Sequence, residues 1–302
     1  STLLHARVGW RPTDALSLPY EYGQLDARGE SGGSSDRDPI VGTINPLDPS
    51  RRGNQWSGSP YTTDDYRQNE LRLALEPGGP WELVAGMFES SLEDYDRQPL
   101  SYGIALLGTQ VPDYFGPGFL LSVAARSKVE ARAAFGRASL AVAGRWRLGV
   151  ELRHAEEDKS PATGPTSFDA GVSAQRGRWT QTTPRFTIDY RPSPAAPWYA
   201  SAAKGSKSGG FNTNAFVESQ RRFDPDRNWT YEIGTKQELL DGRVRVDAAA
   251  FYIDWRDQQV SCAASGAPPA SFIPVLVCNG GEARVGGGAL AHDGIVGRLL
   301  GG

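Results

Sequence analysis

The sequence is poor in the residues that build reactive or cross-linked sites. Among 302 residues there are two cysteines, one methionine and three histidines. So few cysteines exclude a disulfide scaffold, and a single methionine excludes a Met-rich binding groove. His5, His154 and His292 lie far apart and near no cysteine cluster. They read as ordinary strand and loop positions, and no metal site is expected. No run of ~18 apolar residues occurs, so no transmembrane helix is expected. Positive charge is not in excess either: 32 Lys and Arg against 35 Asp and Glu leave a net charge of -3, which argues against a nucleic-acid partner. No nucleophile elbow or catalytic constellation stands out, so neither an enzyme nor a cofactor is expected. The run Lys204-Gly205-Ser206-Lys207-Ser208-Gly209-Gly210 has the letters of a phosphate loop without its order, and no helix follows it.

Glycine (36), proline (21) and aromatic residues (8 Trp, 11 Tyr, 11 Phe) are plentiful. That composition suits many turns, and fits either the aromatic girdles of a membrane barrel or an ordinary β-sandwich. The mean hydropathy of -0.45 looks soluble, but a membrane barrel hides its hydrophobicity by alternating it.

Alternation is the dominant signal. Phe186, Ile188 and Tyr190 oppose Arg185, Thr187 and Asp189. Trp229, Tyr231 and Ile233 oppose Thr230, Glu232, Gly234 and Lys236. Val244, Val246, Ala248, Ala250 and Tyr252 oppose Arg245 and Asp247. Leu71, Leu73 and Leu75 alternate with Glu70, Arg72, Ala74 and Glu76, and Trp146, Leu148, Val150 and Leu152 with Arg147, Gly149, Glu151 and Arg153. A period of two means strands with one apolar and one polar face. Leu4, Ala6, Val8 and Trp10 open the chain the same way, and the following strand carries Pro19, where a bulge or local distortion is expected.

The connections have a rhythm. Tight links at 11–14, 77–80, 144, 192–197 and 239–242 alternate with long polar ones at 26–62, 96–130, 156–183 and 205–227. Short turns at one end of a sheet and long loops at the other predict an all-β, antiparallel up-and-down transmembrane barrel segment of about ten strands in five hairpins. Apolar patches at Ile104–Leu107 and Phe119–Ala125 leave room for local structure in the second long connection.

Particular words carry a family resemblance. Trp198-Tyr199-Ala200-Ser201, then Lys204 through Asn212, resembles the "YAS…G-x-KSGGFN" stretch of TonB-dependent outer-membrane receptors. Tyr231-Glu232-Ile233-Gly234-Thr235-Lys236, Leu240-Asp241-Gly242-Arg243 and Phe251-Tyr252-Ile253-Asp254-Trp255 resemble that family's "YE-x-G-x-K…LDGR…FYIDW". The hairpins around 67–95 and 131–155 are similar to its barrel as well. The resemblance covers residues 1–285, the middle of a barrel of roughly 22 strands. Residues 286–302 read as an atypical Gly-rich tail in which alternation is lost. Neither the family's N-terminal plug nor its closing strands are present in the sequence, so an incomplete barrel is expected.

This resemblance implies a receptor in the bacterial outer membrane for a large scarce nutrient, such as a ferric siderophore, vitamin or oligosaccharide. Its implied partners are outer-membrane lipid, a plug domain and the TonB energy-coupling complex, with a small molecule or metal chelate as ligand. Arg72, Arg147, Glu151, Arg185, Asp189, Glu232, Lys236, Arg245 and Asp247 are then expected to face the lumen, pairing with each other or steering ligand. Gly209, Gly210, Phe211 and Asn212 are candidates for ligand contact, with a simple strand-to-loop exit as the other reading. Cys262 and Cys278 flank a loop that would be extracellular, where a disulfide is expected; two free thiols is the alternative. A passive porin-like or structural barrel shares the strand pattern. A soluble carbohydrate-binding β protein would instead turn its apolar faces inward.

Overall fold

The computed structural model describes residues 1–30, 44–45, 48–52, 55–57, 61–103, 120–163, 173–213, 215–266 and 275–294. Eleven strands form one continuous antiparallel path: β1 Thr2–Thr13, β2 Leu16–Glu30, β3 Tyr61–Leu75, β4 Trp81–Gly103, β5 Leu120–Val142, β6 Trp146–Thr163, β7 Gly177–Tyr190, β8 Trp198–Lys207, β9 Asp226–Leu239, β10 Val244–Arg256 and β11 Ala283–Gly294. Each pairs with its neighbours in sequence. β1 and β11 occupy opposite edges, so the sheet is not closed.

The tight links all fall at one end. In the three-residue link 143–145, Ala143 (φ 50°) and Gly144 (φ 66°) lie in the left-handed region, which glycine adopts at no steric cost. The long connections fall at the other end.

Register fixes two faces. Directly opposed residues share a face, so Leu83, Ala138, Val150, Phe186, Ala202, Tyr231 and Tyr252 form one row across seven strands. This apolar face is open to the surroundings: Leu71 is 50% exposed, Met87 69%, Val150 49% and Ile233 56%. Among the described residues only Ala133, Trp179, Ala264 and Leu276 are buried apolar residues. A soluble sandwich would have buried that face, so the soluble carbohydrate-binding reading fails. Lipid is the solvent that suits such a face. Trp10, Trp81, Trp146 and Trp198 ring its tight-turn end, with Trp146 stacked on Tyr190 at 4.2 Å between ring centroids. Further along, Tyr231 stacks on Trp229 (6.1 Å) and Tyr252 (6.5 Å).

The sheet refines several expectations. The path holds eleven strands, in line with about ten, and the Gly-rich stretch in which alternation is lost supplies the last of them: Gly286, Gly287 and Gly288 pair with Tyr252, Phe251 and Ala250. Backbone pairing there needs no side-chain pattern. Residues 295–302 and the patch at 104–107 lie outside the described residues. Of the bulge or local distortion expected at Pro19, the structure shows the distortion without a bulge: Leu18 and Pro19 have no partners in β3. Pro19 keeps register with Gly9, and on its other side the ladder passes from Ser17–Ala74 to Tyr20–Leu71 without a shift. The missing N–H removes bonds, not register. The irregularity in β1 lies instead between Trp10 and Thr13.

The strands also run further into the expected loops, most visibly in β4 (23 residues) and β5 (23 residues). A transmembrane strand needs only ~9–11 residues. Beyond that length the apolar face gives way to cross-strand ion pairs: Glu89–Arg132 at 3.3 Å, and Arg178 with Asp158 (3.0 Å) and Glu156 (3.3 Å). The hydrogen bond from Arg178 holds the partly covered Asp158 carboxyl below its ordinary range.

Candidate functional site

The opposite face of the sheet is polar. All nine charged residues singled out from the sequence project to it: Arg72, Arg147, Glu151, Arg185, Asp189, Glu232, Lys236, Arg245 and Asp247 alternate with apolar-face residues on their strands. Register opposes unlike charges: Arg147 faces Asp189, Glu151 faces Arg185, and Lys236 faces Asp247. Residues that the sequence reading passed over complete the lattice. Glu82 accepts from Arg147 (2.6 Å) and from the Ser139 hydroxyl (3.1 Å), Arg137 sits 3.6 Å from Glu151, and the Tyr199 hydroxyl donates to Glu232 at 2.6 Å. Arg72 pairs with Glu70, and Arg245 with Asp247 at 3.4 Å. Half-exposed pairs of this kind contribute only ~0–1 kcal/mol each. Their effect is to keep charge balanced along the polar face.

Aromatic rings lie flat on this face over directly opposed glycines. Tyr199 covers Gly234 and Phe251 covers Gly287; a Cβ on either glycine would come within 2.6 or 2.8 Å of the ring. Arg153 sits over Phe88 and Phe135, at 5.3 and 5.9 Å from the ring centroids.

At the long-loop end the polar face carries two local clusters. In the first, Asp64 stands directly opposite Asp94. Partial burial pushes the Asp94 carboxyl up from its ordinary value, and the hydrogen bond and charge of Asp64, with Asp96, push it further.

The second cluster is built on Trp179, which is 4% exposed. Phe211 meets its ring edge-on at 5.2 Å, while Lys159 Nζ and the Arg222 guanidinium lie 5.6 and 4.9 Å from the ring centroid. Lys159 also donates to the Ser208 hydroxyl and to the Gly209 carbonyl (2.8 Å) and sits 3.4 Å from Glu157. Sequence reading placed Trp179 in a loop, since both faces of the strand are polar there; an isolated Trp was the only signal.

This cluster locates the four candidate ligand residues. Gly209, Gly210 and Asn212 are buried, and Phe211 is partly covered. Gly209 leaves the space that Trp179 occupies, and Gly210 the space of the Phe223 ring. The Asn212 side chain donates to the carbonyls of Gln220 and Val277 (both 2.8 Å) and accepts from the Val277 N–H (2.9 Å). Val275–Asn279 pairs in turn with Gln259–Ala263, and Cys262 is bonded to Cys278 with their Cα atoms 6.0 Å apart. Of the histidines, His154 meets the Thr182 hydroxyl at 2.9 Å. Among the described residues no cluster of His, Cys, Asp or Glu is arranged to hold a metal.

Comparison with known proteins agrees with this architecture. The family model described as TonB dependent receptor-like, beta-barrel, matches residues 3–293. The metal-pseudopaline receptor CntO of Pseudomonas aeruginosa is 31% identical over 111 residues, covering 36% of this chain and 15% of the relative. Among solved structures, the ferric yersiniabactin uptake receptor FyuA from Yersinia pestis superposes with a TM-score of 0.72 at 16% identity, over 98% of this chain and 40% of that one. The siderophore receptor PiuA from Acinetobacter baumannii gives 0.71 at 17% identity, over 98% and 44%. The chain thus spans less than half of either solved receptor, and at these identities the likeness is one of fold. The alternating faces, the uneven loops and the match over residues 3–293 together place this chain in the TonB-dependent receptor-like β-barrel family.

Proposed function

We propose that this chain is part of the barrel wall of a receptor that takes up a metal chelate, most simply a ferric siderophore, across a bacterial outer membrane. The observation that carries the reading is the two-faced sheet: apolar residues open to lipid on one side, a charge-balanced polar face on the other. The receptors it resembles are named for metal-pseudopaline, ferric yersiniabactin and a siderophore, which favours a chelate over an oligosaccharide. Energy would come through a plug and the TonB complex, with no bond made or broken in the ligand. A backbone group left unpaired in lipid costs several kcal/mol, so β1 and β11 require partner strands in the membrane. This need, with family membership, favours a receptor wall over the passive-pore alternative.

In this reading the nine polar-face residues line the hydrated interior. Gly209, Gly210, Phe211 and Asn212 act by holding the outer loops in place; their burial supports this over direct ligand contact. The test is uptake of radiolabelled ferric siderophores by cells carrying the full-length receptor, with and without TonB. TonB-dependent accumulation of at least one chelate is expected. Equal accumulation in both strains would point to a passive pore.

A further inference from the structure

The two long connections β8–β9 and β10–β11 are built into one another. Asn212 bridges Gln220 of its own connection and Val277 of the other through both ends of its amide. Asn279 accepts from the Asp224 N–H at 2.7 Å and donates to the Asp224 carbonyl at 2.8 Å. Gln220 donates to the Ala263 carbonyl (3.3 Å) and accepts from the Ser265 N–H (2.7 Å). Gln259 donates to the carbonyls of Ser208 (2.9 Å) and Asp224 (3.1 Å). The Cys262–Cys278 bond closes the second connection on itself. Neither connection can shift without breaking bonds that belong to both.

The tie to the sheet adds ring packing to hydrogen bonds, the Ser208 hydroxyl donating to Glu157 on the wall. It centres on the Trp179 ring, with Phe211, Arg222, Gly209 and the Lys159 bonds around it. Ring packing and two nearby cations favour docking. Against them, Trp179 Nε1 is buried with no hydrogen-bond partner among the described residues, and burying an unpaired N–H opposes docking. A contact held by opposed terms can open, whereas the doubly bonded amides inside the loop body cannot open singly.

We propose that residues 208–213, 215–226, 259–266 and 275–279 form one rigid cap on the polar side of the sheet, and that Trp179 is a releasable latch between cap and wall. The cap needs no ligand, so it stands or falls separately from the uptake reading. Hydrogen–deuterium exchange on the full-length receptor in detergent tests it. Trp179→Phe keeps a ring and removes the orphan N–H, so amides in 208–213 and 259–263 exchange about five-fold more slowly. Trp179→Ala removes the ring, and both segments exchange about ten-fold faster together. Asn212→Ala, with disulfide and latch intact, raises exchange in 275–279 as well as in 208–213. The latch is overturned if Trp179→Phe accelerates exchange, as plain packing loss would. The rigid cap is overturned if Asn212→Ala loosens only its own segment. Should Trp179→Ala fail to fold, the other two variants decide both points.

Discussion

Gly234 is where a single atom matters most. The Tyr199 ring lies over it and the Tyr199 hydroxyl reaches Glu232 at 2.6 Å. Gly234→Val would push the ring off the wall and break that bond. A loss of ~1–3 kcal/mol is expected, as for other overpacked sites, read as a lower thermal unfolding midpoint in detergent. Asp94 gives a pH signature. Its carboxyl is raised above its ordinary value by partial burial first and by Asp64 next. A raised folded-state value means that the contribution to stability is full below the unfolded value and fades as pH rises through the folded one. Amides near 92–96 should therefore be better protected in mildly acidic buffer than at neutral pH, and Asp94→Asn should flatten that difference in hydrogen exchange. Neither site was legible beforehand. Alternation tells which face a residue takes, but not which ring covers which glycine or which acids meet across strands.

Strands were legible where lipid writes the pattern. In β6, Trp146, Leu148, Val150 and Leu152 alternate with charged residues and glycine, and that half was read correctly. From Glu156 to Thr163 the same strand continues with polar residues on both faces and no apolar alternation, so the stretch reads as loop. β11 hid for a related reason: with Gly286, Gly287 and Gly288 in its middle it has backbone pairing but little side-chain pattern. The asymmetry of the faces makes an element-level prediction. Val150→Arg puts a charge on the apolar face and should cost ~2–4 kcal/mol near the bilayer midplane. Glu151→Gln, one residue away on the polar face, should cost less than ~1 kcal/mol. Denaturant unfolding of the full-length receptor in lipid vesicles compares the two; equal penalties would contradict the assignment of faces.

At the scale of the whole sheet, the described strands form an open, eleven-strand wall with apolar residues exposed on one face and charges on the other, unlike a soluble β protein that buries its apolar face. That two-faced pattern, together with the uneven connections, was readable from the sequence because each follows from local patterning. The packing of the two long connections into a cap was not, since it depends on contacts between residues as distant as Asn212 and Val277. The central claim is that one face meets lipid and the other water. Nitroxide labels on single-cysteine variants of the full-length receptor in membranes test it most directly, the native cysteines being bonded to each other. Labels introduced by Leu148→Cys, Val150→Cys and Leu152→Cys should be reached by oxygen dissolved in lipid and shielded from a water-soluble nickel chelate. Labels at Arg147→Cys, Glu151→Cys and Arg153→Cys should show the opposite. A strict period-two alternation is the predicted result; equal access of the nickel chelate to both sets would contradict the account.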